Sequence, residues 1–162
     1  MIIPAQKKFR GFTLIELLIV IAILGILAAA VLVAVNPAKR QNQAKDSQTK
    51  SDIGQMATAL QAYFTTPGSG SYPSQVQGLQ LLVANGDLVK LPTPPSGGTY
   101  EYGASPTTPA CENTKLSPCT AVWVSEPLVD PVTAGNVWCF ESAEGTAEEE
   151  TPFTCQDFDG ST

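Results

Sequence analysis

The feature that most constrains this chain is an apolar run of 24 residues, Phe12 to Val35, in which Glu16 is the one ionisable residue. A helix rises about 1.5 Å per residue, so a helical run of this length exceeds the ~30 Å apolar core of a bilayer. Three basic residues precede it, Lys7, Lys8 and Arg10. Because cytoplasmic flanks carry the excess of lysine and arginine, we expect the N-terminal arm to stay cytoplasmic and the rest to be exported.

Two simpler interpretations of the apolar run are a cleaved signal peptide and an uncleaved single-pass anchor. A signal peptide has an apolar core of ~7–15 residues before a small-residue cleavage site, whereas this run is longer and continues with valine and leucine after residues 28–30. An anchor fits the hydropathy. Neither explains Glu16, since a charge inside a membrane segment is costly and is functional by default. Taken alone, Glu16 could also be a snorkelling residue at the membrane interface.

After the basic N-terminal arm, residues 11–18 read GFTLIELL. This junction resembles the cleavage and methylation motif of bacterial type IV pilins and type II secretion pseudopilins. The resemblance implies that a membrane peptidase cuts between Gly11 and Phe12, that Phe12 becomes N-methylated, and that Glu16 pairs with the N-terminal amine of a neighbouring subunit. The pairing has a physical reason, because cleavage creates a cation in an apolar environment, where an unpaired charge is very costly.

The resemblance, together with the pattern of apolar residues, prolines and glycines, divides the chain into four parts. These are a leader (1–11), a transmembrane and filament-core half of a helix (12–36), an amphipathic half (37–66) and a globular head with a C-terminal loop (67–162). Pro37 interrupts the helix because it removes a backbone hydrogen bond. The resemblance leaves open whether Gly25 to Pro37 is extended in a filament. Beyond Pro37, apolar residues at helical spacing predict a stripe covered by the head: Ile53, Met56, Ala57, Leu60, Tyr63 and Phe64.

The head is predicted to contain one short helix and three strands. The helix runs from Ser74 to Asn85, and the strands run over residues 99–102, 121–126 and 136–142, which are rich in Tyr, Trp, Val and Phe. Residues 148–150 are interpreted as a solvated charge run. The predicted fold class is α+β: a long N-terminal helix packed on a small antiparallel sheet, with a disulfide-closed C-terminal loop. This architecture resembles the pilin fold.

The four cysteines, Cys111, Cys119, Cys139 and Cys155, all lie in the C-terminal half. An even number in an exported domain indicates two disulfides, for which three connectivities exist, and the sequence does not choose among them. We favour local pairing, Cys111 with Cys119 and Cys139 with Cys155. The second pair would resemble the C-terminal disulfide loop of many type IV pilins. A zinc site of four thiolates is the competing interpretation, and it lacks the paired CxxC spacing of structural zinc.

The sequence lacks the residue types and motifs that usually indicate catalysis or cofactor binding. The chain has no histidine, and we find neither a nucleophile with a base partner nor a phosphate-binding glycine loop. The segment Asp157-x-Asp159-Gly160 resembles the start of a calcium loop but lacks its remaining ligands. We therefore predict no enzymatic activity, no cofactor and no metal.

Charge is distributed unevenly along the chain, whose net charge is −6. Beyond Ser51 there are thirteen acidic residues against Lys90 and Lys115. Such a head should not bind nucleic acid directly, because that binding depends on neutralising phosphates. Four basic residues just beyond the apolar run, Lys39, Arg40, Lys45 and Lys50, are expected to meet lipid headgroups before assembly, or acidic groups of neighbouring subunits afterwards.

These observations and the resemblance predict a structural subunit of a type IV pilus-like filament. It would be a single-pass inner-membrane protein before assembly and part of a cell-surface pilus afterwards. Its implied partners are identical or related pilin subunits, the prepilin peptidase and an inner-membrane assembly platform. The alternative within the family is a type II secretion pseudopilin, with a periplasmic filament. An alternative of another class is a membrane-anchored binding or adhesin domain, which would keep its leader.

Overall fold

The computed structural model describes residues 11–107 and 109–156. The chain divides into two compact units, Met1–Arg40 and Gln41–Thr162. The basic leader before Gly11 and the segment Asp157 to Gly160 lie outside the described residues.

The first unit contains helix α1 (Leu14–Val35) and the start of helix α2 (Pro37–Thr65). The helices are separated by Asn36, which has a left-handed conformation with φ of 43°. Asparagine tolerates this conformation better than most residues. Its side-chain Oδ1 accepts a hydrogen bond from Lys39 N–H at 3.3 Å, while Pro37 takes the first helical position, where a missing N–H costs nothing. The predicted interruption is therefore present, and Gly25 is helical.

The second unit contains the rest of α2, helix α3 (Gln80–Asn85), strands β1 (Glu101–Ser105), β2 (Ala121–Pro127), β3 (Val137–Glu141) and β4 (Thr146–Glu150), and helix α4 (Pro152–Gln156). The strands form an antiparallel sheet in the order β1-β2-β3-β4. One buried cluster joins the predicted stripe of α2 to the sheet; its members include Ile53, Met56, Leu60, Tyr63, Val122, Val124 and Phe140. The predicted α+β fold class is confirmed.

The opposite face of the sheet is covered in part by α4. Cys155 of α4 is joined to Cys139 of β3, and Trp123 packs against this pair. The Trp123 ring lies over Gly103 of β1, its neighbour in the strand register. A Cβ atom at position 103 would lie 2.3 Å from the ring, so this position requires glycine.

Both disulfides join the cysteines that local pairing favoured. Cys111 is bonded to Cys119, eight residues further on, and closes a loop before β2. Cys139 is bonded to Cys155, sixteen residues further on. The second disulfide holds α4, an element absent from the sequence prediction, on the sheet.

The predicted helix from Ser74 to Asn85 is wrong at its start. Ser74 does cap a turn, because its Oγ accepts from Gln77 N–H at 3.3 Å and Gln77 Oε1 accepts from Ser74 N–H at 3.1 Å. Gly78 then has φ of 58°, which a right-handed helix cannot contain, so α3 begins only at Gln80. The predicted end is correct, with Gly86 in the left-handed conformation after Asn85.

The strand predictions were right for β2 and β3 to within one residue. The first strand lies at Glu101–Ser105 and not at 99–102. The charge run at 148–150 is part of β4, which pairs with β3 along its whole length, and residues 149 and 150 are half-buried. Glutamate is depleted in strands, so tertiary pairing overrides the local preference here.

Candidate functional site

The N-terminal junction is a capped helix start. Thr13 is extended, with φ of −82° and ψ of 151°, and its Oγ1 accepts from Glu16 N–H at 3.3 Å. In return, Glu16 Oε2 accepts from both the N–H and the hydroxyl of Thr13, each at 2.8 Å. This reciprocal arrangement is a capping box, which satisfies backbone donors that the first helical turn leaves open.

The capping box leaves Gly11 and Phe12 outside the helix and exposed, with Phe12 85% exposed. It also leaves Glu16 Oε1 without a hydrogen-bond partner among the described residues, while Oε2 is occupied. One carboxylate oxygen is thus held by the chain itself and the other can accept a further donor. Phe12 and Glu16 therefore both lie at the start of α1, so residues that are close in the sequence motif are also close in the structure.

Helix α1 is apolar on all sides and has no buried residue. Within residues 11–107 and 109–156 it is the one helix long and apolar enough to cross a membrane. A helix that is hydrophobic all round requires an apolar environment, either lipid or other helices. One side of it forms a groove lined by Leu24, Leu27, Ala28, Val31, Leu32, Val35 and Pro37.

Both acidic residues of α2 are used inside the head. Asp46 is buried and accepts from Val129 N–H at 2.7 Å and Asp130 N–H at 2.9 Å, which holds the β2–β3 loop on the helix. Asp52 is buried and accepts from the Tyr100 hydroxyl at 2.8 Å. These partners lie 83, 84 and 48 residues away in sequence, so sequence reasoning had no signal for either contact.

The basic residues of α2 remain outside this core. Lys39, Arg40, Lys45 and Lys50 are all exposed. The Lys50 ammonium lies 4.2 Å from the centre of the Trp138 ring, a cation–π contact. Because Asp46 and Asp52 face inwards, the exposed charges of α2 are all positive.

The face of the sheet turned away from α2 carries glutamates. Burial, together with the nearby carboxylates of Glu150, Glu144 and Glu148, raises the pKa of Glu141 to about 7. Burial also raises the pKa of Glu150, and Glu148 raises it further. The Cys139 and Cys155 sulfurs lie within 4.8 Å of a Glu141 oxygen, but their disulfide leaves no thiolate to bind a metal.

Two family models match the chain. One, described as the prokaryotic N-terminal methylation motif, matches residues 6–32, and the other, described as type II secretion system protein G, matches residues 36–110. The second match ends immediately before Cys111. The disulfides and strands β2 to β4 therefore lie beyond the region that the family model describes.

The chain is also similar to curated proteins. Type II secretion system core protein G of Pseudomonas aeruginosa is 42% identical over 110 residues, which cover 60% of this chain and 75% of that protein. The protein of the same description from Escherichia coli K12 is 36% identical over 119 residues, 62% of this chain and 79% of that protein. The type IV major pilin protein PilA of Myxococcus xanthus is 43% identical over 60 residues, 37% of this chain and 26% of that protein. No solved structure matches significantly. The chain therefore belongs to the family of type II secretion system core protein G.

Proposed function

We propose that this chain is a structural, non-catalytic subunit of a type II secretion pseudopilus. It is held in the inner membrane by α1 before assembly and joins a periplasmic filament through the same helix. The observation that carries this proposal is the similarity to core protein G over three quarters of that protein's length, together with the N-terminal methylation motif at residues 6–32. Apart from Glu16, the surface of α1 is apolar and unburied, and this supports the proposal because such a surface suits lipid first and neighbouring helices later.

In this proposal, both processing and subunit pairing take place at the N-terminal junction, residues 11–16. A peptidase cuts between Gly11 and Phe12, where the backbone is exposed and not helical. The new amine of Phe12 is methylated and pairs with Glu16 of a neighbouring subunit, at the carboxylate oxygen that Thr13 does not occupy. This pair sets the register between helices, because either charge left alone in an apolar environment is costly. The partners are related subunits, the prepilin peptidase and the inner-membrane assembly platform.

The processing step is tested on the full chain in a bacterium that has a prepilin peptidase. Intact-mass measurement and N-terminal sequencing should find a chain that begins at a methylated Phe12. A chain that keeps residues 1–11 would refute this function and favour a membrane-anchored binding domain.

The charge pair is tested with two substitutions at one position. Glu16→Ala removes both the cap and the charge, whereas Glu16→Gln keeps an oxygen for the Thr13 donors and removes only the charge. We expect both variants to be exported and cleaved, and both to be nearly absent from filaments. Normal filament incorporation of Glu16→Gln would show that capping, and not charge pairing, is what Glu16 contributes.

A type IV pilus subunit is the second candidate, favoured by the similarity to the Myxococcus pilin over 60 residues. Deleting the gene in its own cell separates the two. Loss of protein secretion with surface filaments unchanged supports the pseudopilus, and loss of surface filaments with secretion unchanged supports the pilus.

A further inference from the structure

Four glutamates form an acidic patch on the face of the sheet that is turned away from α2. In the strand register Glu148 is opposite Cys139 and Glu150 is opposite Val137. Alternate residues of a strand share a face, so Glu141 lies on the same side as both. Glu144, in the turn between β3 and β4, is close enough to act on the Glu141 charge. The acidic patch is Glu141, Glu144, Glu148 and Glu150.

No cation within the described part of the chain neutralises this patch. Glu141 is 8% exposed, yet no described N–H or O–H group donates to it. Cys139 Sγ lies 4.0 Å from Glu141 Oε1, but it is a disulfide sulfur without a proton to donate. Glu150 Oε2 is buried without a partner. Buried carboxylates are normally paired or hydrogen-bonded, so both glutamates lack the partner that such groups usually have.

The same chain exposes cations that also lack a partner. Lys39, Arg40 and Lys45 are exposed on α2 and make no ion pair with any residue that the structure describes, while Lys50 is engaged by Trp138. The acids of α2 cannot pair with them across the surface, because Asp46 and Asp52 are turned into the head. Among the described residues, the acidic patch therefore lacks a cationic partner, and Lys39, Arg40 and Lys45 lack an anionic partner.

We propose that, in the filament, the acidic patch of one copy binds the exposed basic residues of α2, Lys39, Arg40 and Lys45, in a second copy. This inference rests on the proposed filament function and adds a second inter-subunit contact to the pairing at Phe12. The two surfaces are different, so the contact is heterologous: each copy offers both halves, and the contact repeats along an open filament and does not end at a dimer. It also lessens repulsion between heads that are themselves strongly acidic.

Charge-reversal substitutions on the two surfaces test the contact in filaments assembled from the full chain. Glu148→Lys and Lys45→Glu should each lower the filament yield about fivefold, because each replaces attraction by repulsion at every repeat. The double variant should recover most of the yield. Glu112→Lys and Lys115→Glu make the same charge changes in the loop closed by the first disulfide and should alter the yield less than about twofold. Equal yields for all four single variants would overturn the proposal.

Cross-linking identifies the molecule that binds the acidic patch, independently of the filament yield. A photo-reactive amino acid in place of Glu144 should give a product between two copies, with the second copy labelled within residues 39–45. When filaments form, a product with another protein, or no product, overturns the proposal. A filament yield that falls on adding EDTA and is restored by Ca²⁺, without the cross-link, assigns the patch to a divalent cation instead. Absence of filaments together with an uncleaved leader counts against the proposed function itself.

Discussion

Replacing Asp46 by alanine tests whether a single buried carboxylate holds the β2–β3 loop on α2. The side chain is 7% exposed and accepts two backbone hydrogen bonds, from Val129 and Asp130. Hydrogen bonds to a charged group contribute about 1.5–3 kcal/mol each. Residues 129 and 130 are themselves exposed, so water can replace part of the loss, and we take the lower end, roughly 3 kcal/mol in all. For a head of 122 residues, Gln41–Thr162, this corresponds to a fall in Tm of about 12 °C.

The assay is thermal unfolding of the full chain in detergent, followed by circular dichroism with both disulfides intact. Asp130→Asn is the matched control, because it removes an exposed carboxylate from the same contact region and keeps the backbone N–H that donates to Asp46. We expect the control to change the unfolding free energy by less than about 0.5 kcal/mol. A fall in Tm for Asp46→Ala no larger than that of the control would refute the reasoning.

Two further predictions concern the sheet. Gly103→Ala should destabilise the head by about 1–3 kcal/mol through its clash with Trp123. The control is Gly54→Ala in helix α2, which has nothing near its Cβ position and should leave the head equally or more stable. Urea unfolding compares the two variants, and equal stability would contradict the clash. The pKa of Glu141 is about 7 in the folded head and about 4.5 in the unfolded chain. Between these two pH values the folded state binds a proton that the unfolded state has lost. The free energy of unfolding should therefore fall as pH rises from about 4.5 to 7. Glu141→Gln should flatten this part of the profile, and an unchanged slope would exclude Glu141 as its source.

Much of the fold follows from local patterns. The apolar run predicts α1, Pro37 predicts the break before α2, and the stripe from Ile53 to Phe64 predicts which face of α2 the head covers. These signals are local because length, composition and helical spacing act over a few turns. The disagreements have equally definite causes. Gly78 stops the predicted second helix through its positive φ, and β4 forms from glutamates because β3 supplies a partner for its backbone.

The candidate site divides in the same way. Gly11, Phe12 and Glu16 can be proposed as site residues from the sequence alone, because the motif occupies consecutive residues. No sequence pattern singles out Glu141 from the other glutamates. Only the fold places it on the same face of the sheet as Glu148 and Glu150 and next to the disulfide. Asp46 is a similar case, since its two donors lie more than eighty residues away.

The sequence by itself determined that this chain has an apolar helix for lipid or neighbouring helices, an N-terminal methylation motif and an acidic head that contains all four cysteines. Those properties depend on composition and on residues adjacent in the chain. Only the tertiary structure decided which charges are used internally and which are left for a partner. The reason is that hydrogen bonding and burial depend on which distant segments meet. These contacts turn the acids of α2 inwards and leave Lys39, Arg40 and Lys45, and the acidic patch on the sheet, without an ion-pair partner among the described residues.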